Sequence, residues 1–409
     1  MPQSLPAIPL KEFASRRESV LKSLKGAIGL LYAGEVASPL HDAFHADPHF
    51  VYLTGIDDEP GAALLLDPTN PVKDRTAMLF FKPLDPELAK WDGLRPEINT
   101  SLRDALGFKS ISRTPALPRF LRDAARRSKR LACLHQIAVH TQPVSKDLQT
   151  FRKVAERIPG CAIEDHTELL AQMRSVKSSA EVRMLQKAVD ITAAGYTAVL
   201  ENMQPGMSEF DIQQLLEHAY KTNGSRGTQY GTIVGSGLNA TVLHYRANNQ
   251  PLEDGQLVCI DSAAGYCGYS ADVTRTFPVN GRFTERQREV YDIVLKAQLA
   301  AIRAVKPGAT FHQIDKAARD IITKAGFADF FIHGIGHHLG LEVHDITPVD
   351  AKHALKPGAV ITIEPGIYLP DEQLGVRIED DILVTTNGSK NLSVAIPKKA
   401  DEIEAAMSR

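Results

Sequence analysis

The chain has 409 residues, 43% hydrophobic and 23% charged, a balance that suits a soluble globular protein with room for two domains. Its 47 basic and 49 acidic residues leave a net charge of −2, which favours neither nucleic acid nor an anionic membrane as partner. No apolar run has the length of a membrane span, no secretory signal pattern opens the chain, and four scattered cysteines (Cys133, Cys161, Cys259, Cys267) point to reduced thiols in a cytoplasmic setting.

Residues 1–172 carry an α/β pattern. The runs AIGLLYAG (27–34), HFVYLTG (49–55), AALLLD (62–67), TAMLFF (76–81) and RLACL (130–134) predict strands. Segments 10–25, 98–107, 117–128 and 144–157 predict helices around them. His41, His45 and His49 fall at i, i+4 and i+8, which on a helix would make a metal-like face. Pro39, Asp42, Asp47 and Pro48 interrupt that helix, so a loop is expected. A second domain is expected over 173–409, opening on the capping box Ser178-x-x-Glu181.

That second domain reads as a duplication. MQPGMSEFDIQQLLEHAYKTNG recurs 102 residues later as VKPGATFHQIDKAARDIITKAG, aligning Pro205 with Pro307, Gly206 with Gly308, Ile212 with Ile314 and Gly224 with Gly326. Ser208-x-x-Asp211 leads into Ile212, Leu215, Leu216 and Ala219; Thr310-x-x-Gln313 leads into Ile314, Ala317, Ala318 and Ile321. Each copy has a further helix upstream, opened by Ser178-x-x-Glu181 and by Thr284-x-x-Gln287. Downstream, Asp261 falls almost opposite Glu364, and His244 almost opposite His344. A duplicated helix–helix–sheet unit would bring one hairpin from each half to a shared cleft. The glycine pattern Gly235-Ser-Gly237 lacks the acidic residue of a dinucleotide site, and no nucleophile elbow or phosphate loop is present.

Four carboxylates and a histidine have the spacing of a two-metal site: Asp261, Asp272, His337, Glu364 and Glu379. They lie in CIDSAAGYCGYSADVTRTF, HGIGHHLGLEVHD, VITIEPGIYL and GVRIEDDILV. Each carboxylate interrupts an apolar, strand-like run, where a charge is costly unless paired or bound to a cation. Two divalent ions would balance the four negative charges, which makes a metallohydrolase the leading reading. Asp261 and Asp272 are equidistant from the centre of Gly265–Gly268, so hairpin pairing would set them face to face with Cβ atoms roughly 5 Å apart. Glu364 and Glu379 are similarly placed about Asp371-Glu372 in a longer loop. Cys259 reads as a small core residue and not as a ligand. Four hard oxygen donors and one imidazole suit Mn²⁺, with Zn²⁺, Co²⁺ or Fe²⁺ as alternatives.

These segments resemble the creatinase/aminopeptidase P/methionine aminopeptidase group and its pita-bread fold, over most of residues 175–390. Within the group the chain is most similar to aminopeptidase P, through YGTIVGSG (230–237), VLHY (242–245), HFVYLTG and the Trp91-Asp-Gly93 element. The resemblance implies an α+β protein, with a pita-bread catalytic domain behind an N-terminal ribonuclease-H-like accessory domain that carries no chemistry. It implies a dinuclear metal centre: Asp261 and Asp272 on one metal, Asp272, His337 and Glu364 on the other, and Glu379 bridging. A metal-bridging hydroxide would attack the peptide carbonyl, with Glu364 accepting the water proton. His244 would contact the peptide near the scissile bond, and His333 and His344 would line the proline-side pocket, either of them stabilising the tetrahedral intermediate. Arg377 would orient a ligand, Tyr230 would bind substrate, and Trp91 would help close the site from a neighbouring subunit of a homodimer or homotetramer. The implied reaction releases the N-terminal residue of a peptide with proline second. An Xaa-Pro dipeptidase (prolidase) shares the ligand set and stays open as the alternative, and a non-catalytic peptide-binding module of the same fold is a reading from a different class.

Overall fold

A computed structural model describes residues 8–36, 44–346 and 354–408. The chain divides into two compact units, Met1–Arg174 and Ser175–Arg409.

The first unit contains α1 (Leu10–Ser23), β1 (Ile28–Tyr32), α2 (Pro48–Thr54), β2 (Ala63–Leu66), β3 (Ala77–Phe81), α3 (Pro86–Asp92), α4 (Thr100–Leu106), β4 (Ser110–Arg113), α5 (Leu117–Ser128), β5 (Arg130–Cys133), α6 (Lys146–Ala155), β6 (Ala162–Asp165) and α7 (Thr167–Arg174). Its six strands form one mixed sheet in the order β4-β3-β2-β1-β5-β6. One strand expectation fails: HFVYLTG is the helix α2. Asp47 caps it, accepting from the amides of His49 and Phe50, Pro48 takes the first turn, and Gly55 ends it at φ 73°. These local start and stop signals outweigh the β-like aromatic composition. The three histidines therefore share no helical face: His45 precedes α2, His49 is buried on it, and His41 lies outside the described residues. The two strands that the apolar pattern passed over, SISR and AIED, are the sheet's two edges, where fewer side chains are covered.

The second unit contains α8 (Ser179–Asn202), α9 (Glu209–Thr222), β7 (Ile233–Ser236), β8 (Leu257–Asp261), β9 (Gly265–Tyr266), β10 (Tyr269–Ser270), β11 (Thr274–Pro278), α10 (Glu285–Ala304), α11 (Phe311–Lys324), β12 (Val360–Ile363), β13 (Gly366–Leu369), β14 (Leu374–Arg377), β15 (Asp380–Val384), β16 (Ser389–Asn391) and α12 (Ala400–Met407). All four capping boxes form, at Ser178, Ser208, Thr284 and Thr310. The duplication extends to backbone hydrogen bonds. Gly206 N donates to Leu252 O and Gly308 N to Leu355 O, both at 2.9 Å, with the two glycines at φ 92° and 85°. No helix among the described residues is long and apolar enough to cross a membrane.

The two hairpins differ in how well spacing foretold them. The first turns on Cys267-Gly268, both at positive φ (51° and 82°), as a two-residue type I′ loop demands. The turn centre is thereby one residue later than Gly265–Gly268 suggested, and Asp261 faces Thr274 rather than Asp272. A shift of two in register keeps both aspartates on one face, diagonal instead of opposite. The second hairpin keeps the expected register. Gly366 pairs with Arg377 and Ile363 with Asp380, so Glu364 and Glu379 fall opposite each other between the two paired runs.

Candidate metal centre

Each member of the acidic cluster sits where a strand ends or breaks. Asp261 ends β8, Asp272 precedes β11, Glu364 separates β12 from β13, and Glu379 separates β14 from β15. His337 comes from a glycine-rich segment laid against β12: Thr362 N donates to His337 O (2.9 Å), Glu364 N to Ile335 O (2.9 Å) and Leu339 N to Val360 O (3.0 Å). That close approach needs Gly336, at φ 153°, where a Cβ would lie 2.1 Å from Thr362 O. Gly336→Ala is therefore expected to push its segment off β12 and displace His337, cutting metal affinity and activity by about 10- to 100-fold together with a loss of overall stability. Metal titration alongside thermal melting checks it.

The five side chains line one cavity of about 270 Å³, together with Leu243, His244, His333, Gly334, Gly336, His344 and Arg377. Ligand atoms of Asp272, His337 and Glu379 lie within 4.8 Å of one another. His337 Nε2 is 3.4 Å from Asp272 and 3.6 Å from Glu364. Its Nδ1 donates to His338 O at 3.0 Å, which leaves Nε2 as the nitrogen aimed at the carboxylates.

Charge in this cavity is out of balance. Among the described residues four carboxylates share it with one arginine, Arg377, whose Nη2 donates to Asp261 at 2.8 Å. Burial, and then the charge of Asp272, pushes Glu379 well above the usual carboxylate range; burial likewise raises Glu364 and Asp261. Burial would lower the His337 pKa, but the hydrogen bond and charge of Asp272 and the charge of Glu364 lift it to about 9. Hard oxygen donors, one imidazole and an excess of buried negative charge fit divalent cations.

The other expected residues separate into two groups. His244 and His344 are exposed at the cavity, the ring of His344 lying 4.3 Å from that of His337. His333 is held from both sides: Nδ1 donates to Gly334 O (2.9 Å) and Nε2 accepts from Tyr368 Oη (2.8 Å). Burial, and next the Arg377 charge, pushes its pKa down to about 4, so it is neutral at pH 7. Tyr230 does not line the cavity; its hydroxyl donates to Asp261 at 2.8 Å, opposite the oxygen taken by Arg377. Trp91 stands on α3 of the first unit, 85% exposed. Sequence reasoning missed four supports. Thr274 donates to Glu379 (2.6 Å), the Thr362 hydroxyl accepts from His337 N (3.0 Å), Tyr368 accepts from Arg377 (3.2 Å), and Asp381 accepts from Asp272 N (3.2 Å). Thr362 and Asp381 sit two residues from Glu364 and Glu379, the period that places side chains on one strand face.

The pattern of metallopeptidase family M24 matches residues 183–386, and that of the aminopeptidase P N-terminal domain matches residues 13–132. An Xaa-Pro aminopeptidase of Haemophilus influenzae is 34% identical, with 98% of each chain covered. The chain belongs to metallopeptidase family M24. It is a hydrolase of metal-dependent peptidase type, with the two-domain α+β architecture of that family. The solved structure of Escherichia coli aminopeptidase P with the inhibitor Pro-Leu superimposes at a TM-score of 0.86, with 32% identity and 98% of each chain covered. An Xaa-Pro dipeptidase of Pyrococcus furiosus is 41% identical, over 55% of this chain and 65% of its own.

Proposed function

We propose that this M24 peptidase releases the N-terminal residue from peptides whose second residue is proline, using two divalent cations. One observation carries the reading: four carboxylates and His337 converge on a cavity whose one arginine among the described residues is already committed to Asp261. Asp261 and Asp272 would hold one cation, Asp272, His337 and Glu364 the other, with Glu379 shared. Mn²⁺ suits this set best, and Zn²⁺, Co²⁺ or Fe²⁺ are alternatives. Bound there, such cations lower the pKa of water and polarise a carbonyl oxygen.

The chain's own residues do the rest. Glu364, raised by burial, accepts a proton from the attacking water and returns it to the departing prolyl nitrogen. That nitrogen has no hydrogen of its own in the substrate, because the bond before proline is a tertiary amide. Arg377 and Tyr230 fix both oxygens of Asp261 and so aim it. With both nitrogens engaged, His333 has no N–H to offer the developing oxyanion. His344 therefore takes that task, and His333 is left as a wall of the proline-side pocket. His244 meets the peptide near the scissile bond. Trp91 and Leu94, 85% and 93% exposed, supply apolar surface that a homodimer or homotetramer would cover.

The dipeptidase reading keeps the partial likeness to the Pyrococcus enzyme in its favour. Hydrolysis of an Xaa-Pro-Xaa tripeptide beside the matching Xaa-Pro dipeptide, with Mn²⁺ and after chelation, separates the two. Metal-dependent cleavage of the tripeptide alone is expected. Cleavage of the dipeptide alone would make the chain a dipeptidase, and cleavage of neither by metal-loaded protein would remove the substrate assignment.

A further inference from the structure

Glu209 opens α9, is fully buried, and lies outside the cavity. Five hydrogen bonds reach its carboxylate, all from neutral donors. Oε1 accepts from Ser236 N (2.8 Å), Ser236 Oγ (2.9 Å) and Asn239 Nδ2 (3.1 Å). Oε2 accepts from Tyr245 Oη (2.8 Å) and Gln250 N (3.0 Å). The two oxygens thus take the two arms of one loop: Oε1 the arm leaving β7, Oε2 the arm returning toward β8. His244 stands between those arms and lines the cavity. The Glu209 amide closes the same loop, donating to Gln250 O at 2.9 Å. On its other side the loop is pressed against β14, where a Cβ on Gly375 would lie 2.0 Å from Ala240 O.

The duplication shows that the repeat itself does not demand a carboxylate here. At the 102-residue offset Glu209 aligns with Phe311, whose ring packs edge-on against His338 at 5.5 Å. The second half holds its cavity segment by apolar contact at the place where the first half uses a charge.

Resting on the reading of His244 as a residue that meets the peptide, we propose that Glu209 is its positioning residue, closing loop 236–250 through its two carboxylate oxygens. The chemistry calls for an acceptor at both oxygens. Two donors, Ser236 N and Gln250 N, are backbone amides that cannot reverse, and each faces a different oxygen. A glutamine of the same shape must turn its NH₂ toward one of them, whichever way the amide is flipped.

The test combines kinetics on an Xaa-Pro-Xaa tripeptide with amide hydrogen exchange. Glu209→Gln is expected to lower kcat/KM by about 10- to 100-fold, mainly through KM, with bound metal unchanged. Amides of residues 236–250 should exchange faster while those of β8 and β12 keep their protection. In a His244→Ala background the same change should cost less than about twofold, since the group it positions is gone. Tyr245→Phe removes one donor and leaves the carboxylate in place, so it is expected to give a milder loss of about two- to tenfold should Glu209→Gln fold poorly. An equal loss in both backgrounds, or unchanged exchange across 236–250, overturns the proposal. A wild-type chain that cleaves no tripeptide would sink the aminopeptidase reading alone; the exchange comparison needs no substrate and still decides whether Glu209 closes the loop.

Discussion

Asp272→Asn is expected to lower kcat/KM by about 10³-fold or more, beyond the 10- to 100-fold typical of residues that only support a metal ligand. In the proposed division Asp272 serves both cations; it lies 3.4 Å from His337 Nε2, and ligand atoms of Asp272, His337 and Glu379 lie within 4.8 Å of one another. The same substitution should act differently on stability with and without metal. In metal-free protein it removes one of several buried like charges but also the partner that lifts His337 to about 9, so the melting temperature changes little. In the presence of Mn²⁺ the wild-type chain gains about 2.7 kcal/mol at a hundredfold excess over Kd, and the variant loses most of that gain. Melting curves with and without Mn²⁺, together with metal analysis, read both effects. A variant that keeps two metals and full activity would exclude Asp272 as a ligand.

Arg275→Met should destabilise the second unit by about 3–5 kcal/mol, the range for breaking one side of a buried ion pair. Arg275 and Asp380 are 2.7 Å apart with both side chains fully buried. Arg275 also donates to Thr274 O (2.9 Å), Ile396 O (3.1 Å) and Pro397 O (3.0 Å), tying β11 to the segment before α12. Gln298 and Lys398 also hold Asp380, so it keeps partners when the arginine goes, but Asp380 then sits buried in an incomplete network beside the half-buried Lys398. Urea unfolding should show a lower midpoint with unchanged slope. Adding Asp380→Asn should recover part of the loss, because it removes the charge left behind. A cost below 1 kcal/mol for the single change would mean that the pair contributes little.

The catalytic half of the chain could be read largely in advance, because its signals are local and repeated. Four capping boxes start four helices, and glycines at Gly206 and Gly308 mark matching turns. Carboxylates inside apolar runs announced a site because burial without a cation is so costly. What spacing could not give was the turn type. Counting from Gly265–Gly268 put the first hairpin two residues out of register, since the positive φ values of Cys267 and Gly268 are a property of the folded turn. In the first unit, the strand expected at HFVYLTG failed because the Asp47-Pro48 start and the Gly55 stop were given less weight than aromatic content. The hydroxyls that hold the site's side chains were illegible for another reason. Thr274 and Tyr368 meet partners more than thirty residues away along the chain, Glu379 and His333, and only the assembled sheet brings them together.

The residues that converge on the cavity come from separate stretches, and Glu379 follows Asp261 by more than a hundred positions. Neither half of the duplication holds the set by itself. Both helix pairs must dock, and both hairpins must find register, before a divalent ion meets its full complement of donors. A partly folded or locally opened chain is then no peptidase, and the cation's binding energy accrues only to the completed architecture. Cutting of peptides is thereby withheld until folding is finished.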